Sequence, residues 1–140
     1  MNDEPRFVLN RSVALLVYKQ PFLAWLQSAD PTPGTVWTLE ELREDNDTFL
    51  IPQFDDPSDS VKWIESRWRA LFDSILIDWL TDESLWPKNR TLKMFREWFD
   101  IKVHSMVWDL AEEPLIVEDW DSDDDDEEDV VSEELNRKLH

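Results

Sequence analysis

The chain has 140 residues, 41% of them hydrophobic and 12% aromatic, so it has enough apolar side chains to form one folded domain. It has no cysteine, which excludes disulfides, thiolate zinc sites and cysteine nucleophiles, and its single glycine argues against glycine-rich phosphate-binding loops. The formal net charge of −19 disfavours direct binding to nucleic acid and favours a basic protein partner.

The first predicted elements are a strand and a helix. Residues 11–19, RSVALLVYK, are almost continuously apolar and rich in β-branched side chains, which is typical of a central strand. Pro21 suits the first turn of a helix, and the apolar residues after it follow at helical spacing. This helix is predicted to end near Asp30.

A second strand is predicted after a short helix. Thr38 and Glu41 have the spacing of a capping box, in which each side chain accepts from a backbone N–H, and the helix they begin is predicted to end near Asp45. Residues 48–54, TFLIPQF, have the composition of a strand. Pro52 has no N–H for a neighbouring strand, so this strand is predicted at an edge of the sheet or to end there.

One long helix is predicted from Asp56 to Leu80. Asp56 suits the N-cap and Pro57 the first helical turn. Apolar residues then repeat at intervals of three or four, as they do on one face of a helix. These residues are Ile64, Trp68, Leu71, Ile75 and Trp79.

The folded part of the chain is predicted to finish with a helix over residues 90–99 and a strand over residues 101–110. Apolar residues recur at helical spacing in the first segment and alternate in the second. Two pairs of opposite charge on the helix have the spacing of helical ion pairs, Lys93 with Glu97 and Arg96 with Asp100.

Together these elements predict an α+β domain in which helices cover one face of a small, mostly antiparallel sheet. The domain is predicted to span residues 1–117. Residues 118–140 contain 12 acidic and two basic residues. The acidic residues repel one another, and the segment has no apolar face to bury. They are predicted to form a disordered acidic tail.

The candidate catalytic residue is His104, because the other histidine, His140, is the last residue of the sequence. As a general base, His104 would need a carboxylate, for which Asp100 and Asp109 are the candidates. Ser105 is adjacent, but neighbours in a strand point to opposite faces, so a serine–histidine pair is not expected. A hydrogen-bonded histidine of the sheet, without a catalytic role, is the favoured interpretation.

A dense basic cluster is the first candidate for partner binding. It consists of Lys88, Arg90, Lys93 and Arg96. Trp86 flanks it and is not explained by helical periodicity, and tryptophan is enriched among the anchors of protein interfaces. The cluster could bind a partner or the protein's own acidic tail, while an ordinary solvated helix face is the favoured interpretation.

The acidic tail is the second candidate for partner binding. Its densest part consists of Asp123, Asp124, Asp125, Asp126, Glu127 and Glu128. A calcium loop that starts at Asp123 would need glycine where Glu128 stands, so no metal site is predicted. An acidic strip can also mimic the phosphates of nucleic acid, although a solubilising extension is the commoner case.

Four segments of the sequence carry a resemblance to other proteins: LNRS near residue 10, PFLAWL at 21, FLIPQF at 49 and WPKNRTLKMFREWFDIKVHSMVWDL at 86–110. They resemble a family of small, uncharacterised bacterial proteins, over about residues 7–110. Because the family has no established activity, the resemblance implies no catalytic or binding residue. It implies a bacterial, cytoplasmic protein with a single domain.

The favoured function is that of a non-enzymatic, acidic interaction module that binds a basic protein partner. One alternative is a nucleic-acid mimic that inhibits a nuclease or a DNA-binding protein, and another is an enzyme that uses His104 with nearby carboxylates. No cofactor and no membrane contact are expected. The absence of a signal pattern and of an apolar run of about 20 residues favours the cytoplasm. The identity of the partner and the oligomeric state are left open.

Overall fold

The computed structural model describes residues 7–32, 34 and 36–119. Its strands are β1 (Phe7–Val8), β2 (Ser12–Tyr18), β3 (Asp47–Ile51), β4 (Phe99–His104) and β5 (Trp108–Asp109). Its helices are α1 (Gln20–Ala29), α2 (Leu39–Leu42), α3 (Pro57–Glu65), α4 (Trp68–Trp79) and α5 (Leu92–Trp98), with a 3-10 turn at Glu83–Leu85. Helices combined with small antiparallel sheets confirm the predicted α+β class.

Contacts divide the chain into two units, residues 1–109 and residues 110–140. All the helices and strands above belong to the first unit, and residues 110–119 of the second contain neither. The predicted boundary at residue 117 and the disordered tail stay predictions, because residues 120–140 lie outside the described part. Each helix of the described part is too short or too polar to cross a bilayer.

β2 is the central strand of a three-stranded antiparallel sheet with the order β3-β2-β4, as its apolar sequence predicts. Ala14, Leu16 and Tyr18 are buried on one face of this strand, and Phe99 and Ile101 lie opposite the last two of them on β4. The helices pack on this face. Their buried residues complete the core: Phe22, Leu23, Leu26, Leu42, Ile64, Phe72, Ile75, Leu76 and Phe95.

β3 lies at an edge of this sheet, as predicted. It ends at Ile51, directly before Pro52, which has no N–H to donate to β2. Its first residue, Asp47, lies opposite Leu16 of β2 and therefore on the helix-covered face. This position brings a carboxylate to the margin of the core.

The pairing of β2 with β4 continues into a two-stranded ribbon of β1 and β5. Val13 lies opposite His104 in the sheet, and Val8 lies opposite Trp108 in the ribbon. Between these two pairs, residues 9–12 face residues 105–107, so one strand carries an extra residue. Such an extra residue is a β-bulge, and it interrupts the ladder.

This interruption corrects the prediction of one strand over residues 101–110. β4 already begins at Phe99, ends at His104, and is separated from β5 by irregular backbone. The hydroxyl of Ser12 donates a hydrogen bond of 3.3 Å to the carbonyl of Ser105 beside the bulge. The strict alternation expected between His104 and Ser105 therefore does not extend past the end of β4.

Side chains cap α2, α3 and α5. Thr38 accepts from the N–H of Glu41, and the carboxylate of Glu41 accepts from the N–H of Thr38, both at 3.1 Å, which completes the predicted capping box. Asp56 caps α3 by accepting from the N–H of Ser58 at 2.9 Å. Thr91 caps α5 in the same manner. These short-range signals gave correct helix starts at Thr38 and Asp56.

The single helix predicted from Asp56 to Leu80 is wrong, because α3 and α4 are separated by a turn. In one continuous helix, the carbonyl of Trp63 would accept from the N–H of Arg67. Instead it accepts from the hydroxyl of Ser66 at 2.7 Å, and the N–H of Arg67 donates to the carbonyl of Ile64 at 3.0 Å. The guanidinium of Arg67 also stacks 3.6 Å from the centre of the Trp63 ring, which stabilises the turn.

Phe22 lies at the centre of the aromatic part of the core. Its ring centre is 4.7–6.0 Å from those of Tyr18, Trp25, Trp79, Trp98 and Phe99. Tilted and edge-on aromatic pairs at these distances stabilise a core beyond the area that they bury. Trp25, Trp79 and Trp98 are thus packing residues at the margin of the core.

Candidate functional site: an acidic corner around Tyr18

A hydrogen-bonded chain of three side chains lies where the ends of β2, β3 and α4 meet. The Nε1–H of Trp79 donates to the hydroxyl of Tyr18 at 3.1 Å, and that hydroxyl donates to Oδ2 of Asp47 at 2.8 Å. Tyr18 is the last residue of β2, Asp47 the first of β3 and Trp79 the last of α4. The fold therefore assembles this group from three distant segments.

Two further carboxylates surround this chain. Asp78 precedes Trp79 in the last turn of α4, Asp45 lies two residues before Asp47, and both side chains are exposed. They are close enough to shift the pKa of Asp47 through their charge. We call Tyr18, Asp45, Asp47, Asp78 and Trp79 the acidic corner.

The pKa values in the acidic corner are moved by burial and by like charge. Burial raises the pKa of Asp47; the hydrogen bond from Tyr18 partly offsets this, and the carboxylates of Asp78 and Asp45 raise it further. Burial also raises the pKa of Tyr18 well above its usual range, and Asp47 adds to the effect. Tyr18 is therefore neutral near pH 7 and acts as a hydrogen-bond donor, not as a nucleophile.

The carboxylates of the acidic corner are not paired with basic side chains of the described residues. The C-terminal end of a helix carries partial negative charge, so the end of α4 adds to the negative electrostatic potential around Asp78. A cationic group from outside the chain would relieve this repulsion. No cluster of three or more metal-ligating side chains occurs among the residues described.

The predicted basic cluster is divided among internal contacts. Arg90 forms an ion pair of 2.8 Å with Asp73 of α4. Arg96 pairs with Glu65 of α3 through two hydrogen bonds of 2.5 and 3.1 Å, instead of with Asp100 on its own segment as predicted. Both arginines thus hold α5 and the segment before it against other helices.

The remaining members of this cluster are lysines. Lys88 and Lys93 are exposed, and neither forms an ion pair in the part of the chain that is described. The predicted pair of Lys93 with Glu97 is therefore not formed. Two separate lysines leave much less basic surface than the four residues of the sequence predict.

Trp86 is a core residue, which differs from the expectation of an exposed anchor. It is 8% exposed, and its Nε1–H donates to the carbonyl of Leu80 at 2.7 Å. The guanidinium of Arg90 lies 5.5 Å from its ring centre. A partner would have to open the domain to contact this ring.

The candidate catalytic group is not assembled around His104. Asp100 and His104 are both exposed on β4, but they lie four positions apart, about 13 Å along the strand, which is beyond hydrogen-bond reach. The backbone of His104 pairs with Val13 in the sheet, but its side chain forms no hydrogen bond or ion pair with another described residue. Asp109 lies in β5, beyond the bulge. His104 also does not line the cleft described next.

A cleft of about 220 Å³ lies between α3 and β4, away from the acidic corner. Its lining residues are Val61, Glu65, Arg96, Phe99, Asp100 and Ile101. The paired guanidinium and carboxylate of Arg96 and Glu65 satisfy each other there, and the pKa of Glu65 is lowered by its hydrogen bond from Arg96. This cleft has apolar walls, the ion pair of Arg96 with Glu65, and one further carboxylate at its margin, that of Asp100.

The residues of the predicted acidic tail, including Asp123, Asp124, Asp125, Asp126, Glu127 and Glu128, lie outside the described residues. Sequence reasoning missed the acidic corner because it joins residues that are far apart in the chain. One signal was present: Asp47 stands directly before the predicted strand over residues 48–54, where a carboxylate can reach the end of a neighbouring strand.

Comparisons with protein families, with curated proteins and with solved structures give no match. The resemblance of residues 7–110 to small bacterial proteins therefore stays a prediction.

Proposed function

We propose that the protein is a non-enzymatic interaction module that binds a basic protein partner through its acidic corner. The observation that supports this proposal is the group of Asp45, Asp47 and Asp78: burial and the charges of Asp78 and Asp45 raise the pKa of Asp47, and none of the three carboxylates has a counter-charge in an ion pair among the described residues. A lysine or arginine of a partner would supply that charge.

The distribution of the arginines supports the same proposal. Four of them are held by intramolecular contacts, and none of the four forms an ion pair with a carboxylate of the corner. Arg43 donates to the backbone carbonyl of Tyr18, Arg67 stacks on Trp63, and the other two pair with carboxylates, Arg90 with Asp73 and Arg96 with Glu65. Among the described residues, Asp45, Asp47 and Asp78 therefore form no ion pair, while these four arginines have intramolecular partners.

The geometry favours a protein partner over a small cation. Asp47 is half-buried, and the Tyr18 hydroxyl that donates to it accepts from Trp79. A guanidinium or ammonium at this place would therefore meet both a carboxylate and an aromatic group. Acidic surfaces of this kind also steer basic proteins in solution, which raises the rate of association. The proposal includes a cytoplasmic location, in keeping with the absence of cysteine from the sequence.

The other two hypotheses have less support from the described residues. An enzyme based on His104 would need a carboxylate partner, and no described carboxylate forms a hydrogen bond or ion pair with its side chain. A nucleic-acid mimic would depend mainly on the acidic residues 118–140. It predicts that deletion of this segment abolishes inhibition of a nuclease or DNA-binding protein.

The proposal can be tested by affinity capture with the full chain at about 50 mM and about 500 mM salt. We expect basic proteins to be captured at low salt and released at high salt. The triple variant Asp45→Asn, Asp47→Asn, Asp78→Asn should lose the capture, because it removes the three carboxylates and keeps side chains of the same size.

A matched control removes three exposed carboxylates elsewhere, in the variant Asp55→Asn, Asp59→Asn, Glu97→Gln. It should retain the captured proteins. Failure to recover a partner at either salt concentration, or equal loss of capture in the two triple variants, would contradict the proposal.

A further inference from the structure

The outer edge of β4 has unpaired backbone groups. Within the described residues β4 pairs only with β2, so its other edge is open. The N–H of Lys19 donates to the carbonyl of Trp98 at 2.9 Å, so these two residues form a hydrogen-bonded pair. In an antiparallel ladder, hydrogen-bonded pairs recur at every second residue. The backbone groups of Asp100 and Lys102 therefore face β2, whereas those of Ile101 face away from it.

The charged side chains on this strand are complementary. Asp100 and Lys102 are both exposed, on the sheet face that the helices leave open. Their charges cancel within β4, although the chain as a whole has a net charge of −19. β4 is thus a locally neutral strand on which two copies of an acidic protein can approach each other.

A partly apolar space lies beside this edge, on the side of the helices, and Glu65, Arg96 and Asp100 supply its charged lining. It is the cleft between α3 and β4, whose apolar walls come from Val61, Phe99 and Ile101. Because Ile101 points to the helix-covered face, the equivalent side chain of an added strand would point to the same side. One branched apolar side chain is of suitable size for the cleft.

We propose that β4 pairs antiparallel with β4 of a second copy of the chain, around a two-fold axis at Ile101. The backbone groups of Ile101 then bond to those of Ile101 of the second copy. Asp100 lies opposite Lys102 of the second copy, and the reverse pair forms by symmetry. The side chain of Ile101 of the second copy enters the cleft beside Val61.

Charge selects this register over the adjacent one. A two-fold axis at Lys102 would also pair outward-facing backbone groups, but it would place the two lysines directly opposite each other. Like charges in that position are destabilising, whereas opposite charges are stabilising. The sheet order β3-β2-β4 leaves Asp47 and the acidic corner at the other edge, so the dimer keeps both corners accessible.

Charge reversal tests the proposal, with the mass of the full chain measured by sedimentation equilibrium at about 0.15 M salt. We expect the wild type to form dimers. Each single reversal, Asp100→Lys or Lys102→Asp, creates two like-charge contacts per dimer and should raise the dissociation constant at least about tenfold. The double swap Asp100→Lys, Lys102→Asp should restore dimerisation.

Lys93→Asp is the control, since it makes the same charge change at an exposed position on α5. It should leave the dissociation constant within about twofold of that of the wild type. A wild type that remains monomeric at its highest soluble concentration would overturn the proposal. So would a double swap that is no better than the single reversals.

Cysteine cross-linking tests the register in a chain that has no cysteine of its own. A mixture of Asp100→Cys and Lys102→Cys chains should form disulfide-linked dimers on mild oxidation, because the two positions lie opposite each other in the proposed pairing. Each variant alone should cross-link much less. Equal cross-linking of the mixture and of the separate variants would overturn the register.

Discussion

The hydroxyl of Tyr18 donates a 2.8 Å hydrogen bond to the carboxylate of Asp47, which lies 29 residues later in the chain. The same hydroxyl accepts from the Nε1–H of Trp79. One phenol oxygen thus links the end of the central strand to an edge strand and to the end of α4. Its removal leaves a donor and an acceptor without their partner, at the margin of the core.

We predict that Tyr18→Phe lowers the free energy of unfolding by about 1–3 kcal/mol, because it breaks both hydrogen bonds while keeping the ring. Denaturant unfolding followed by tryptophan fluorescence measures the change. Asp47→Asn is the comparison: its amide oxygen still accepts from Tyr18, so it should show no such loss of stability. A loss below about 0.5 kcal/mol in Tyr18→Phe would show that the bonds do not stabilise the fold.

The second prediction concerns the pH dependence that Asp47 contributes. Its pKa is raised in the folded state, so the native protein binds this proton more tightly than the unfolded chain. The contribution of Asp47 to stability is therefore most favourable in acid and is lost as the pH rises through its native pKa.

We expect Asp47→Asn to be more stable than the wild type near pH 7, and this advantage to shrink as the pH falls towards the ordinary value of 3.8, where the wild-type carboxyl becomes protonated. Denaturant unfolding of both proteins over this pH range measures it. Asp55→Asn, which removes an exposed carboxylate outside the corner, controls for net charge. An advantage that grows in acid would contradict the assigned direction.

The third prediction separates core from surface tryptophans. Trp86→Ala should cost about 3–5 kcal/mol, because it removes a buried ring and its hydrogen bond to Leu80. Trp86→Phe keeps most of the ring and should cost about 1–3 kcal/mol, for the unpaired carbonyl and the lost volume. Trp108, which is 48% exposed opposite Val8, is the control, and its replacement by Ala should cost less than about 1 kcal/mol.

Urea unfolding measures these three variants. Comparable small losses for Trp86→Ala and Trp108→Ala would show that Trp86 is not part of the core. In that case the interface role predicted from the sequence would deserve a direct binding test.

The parts of the fold that depend on neighbouring residues were predictable from the sequence. The continuous apolar run of residues 11–19 identified the central strand, and the pairing of Thr38 with Glu41 identified the start of α2. Pro52 placed β3 at an edge. Each of these signals acts within a few residues, so the sequence displays it directly.

Features that depend on competition between contacts were not predictable in this way. The apolar repeat from Ile64 to Trp79 continues across the turn at Ser66 and Arg67, because both α3 and α4 face the same core. Spacing alone therefore indicates one helix. The turn is visible only in the side-chain bonds that replace a backbone bond at Trp63.

The candidate site was even less predictable from the sequence than the turn between α3 and α4. The acidic corner joins Tyr18, Asp47 and Trp79, and the hydrogen bonds between them span 29 and 61 residues of sequence. The basic cluster is the reverse case: its residues are close in sequence, but in the fold its two arginines form ion pairs with Asp73 and Glu65. Proximity in sequence was a poor guide to both, since tertiary contacts decide which charges remain free.

The last prediction concerns the ion pair of Arg96 with Glu65, which joins α5 to α3. Hydrogen bonding to Arg96 lowers the pKa of Glu65 below its ordinary value of 4.5, so the native protein binds this proton less tightly than the unfolded chain. The stabilisation is fully present above that ordinary value and is lost as the pH falls through the lowered native pKa. This is the reverse of the dependence expected for Asp47.

We therefore predict that Arg96→Gln is less stable than the wild type near pH 7, and that the two proteins converge in acid. Because the guanidinium is largely exposed, the difference should be small and should decrease in about 1 M salt, which screens exposed charges. Lys93→Gln removes a positive charge from the same helix without breaking an ion pair and should show no such convergence. If the difference between wild type and Arg96→Gln instead persists unchanged in acid and in high salt, packing of the arginine stem, and not its charge, holds α5 against α3.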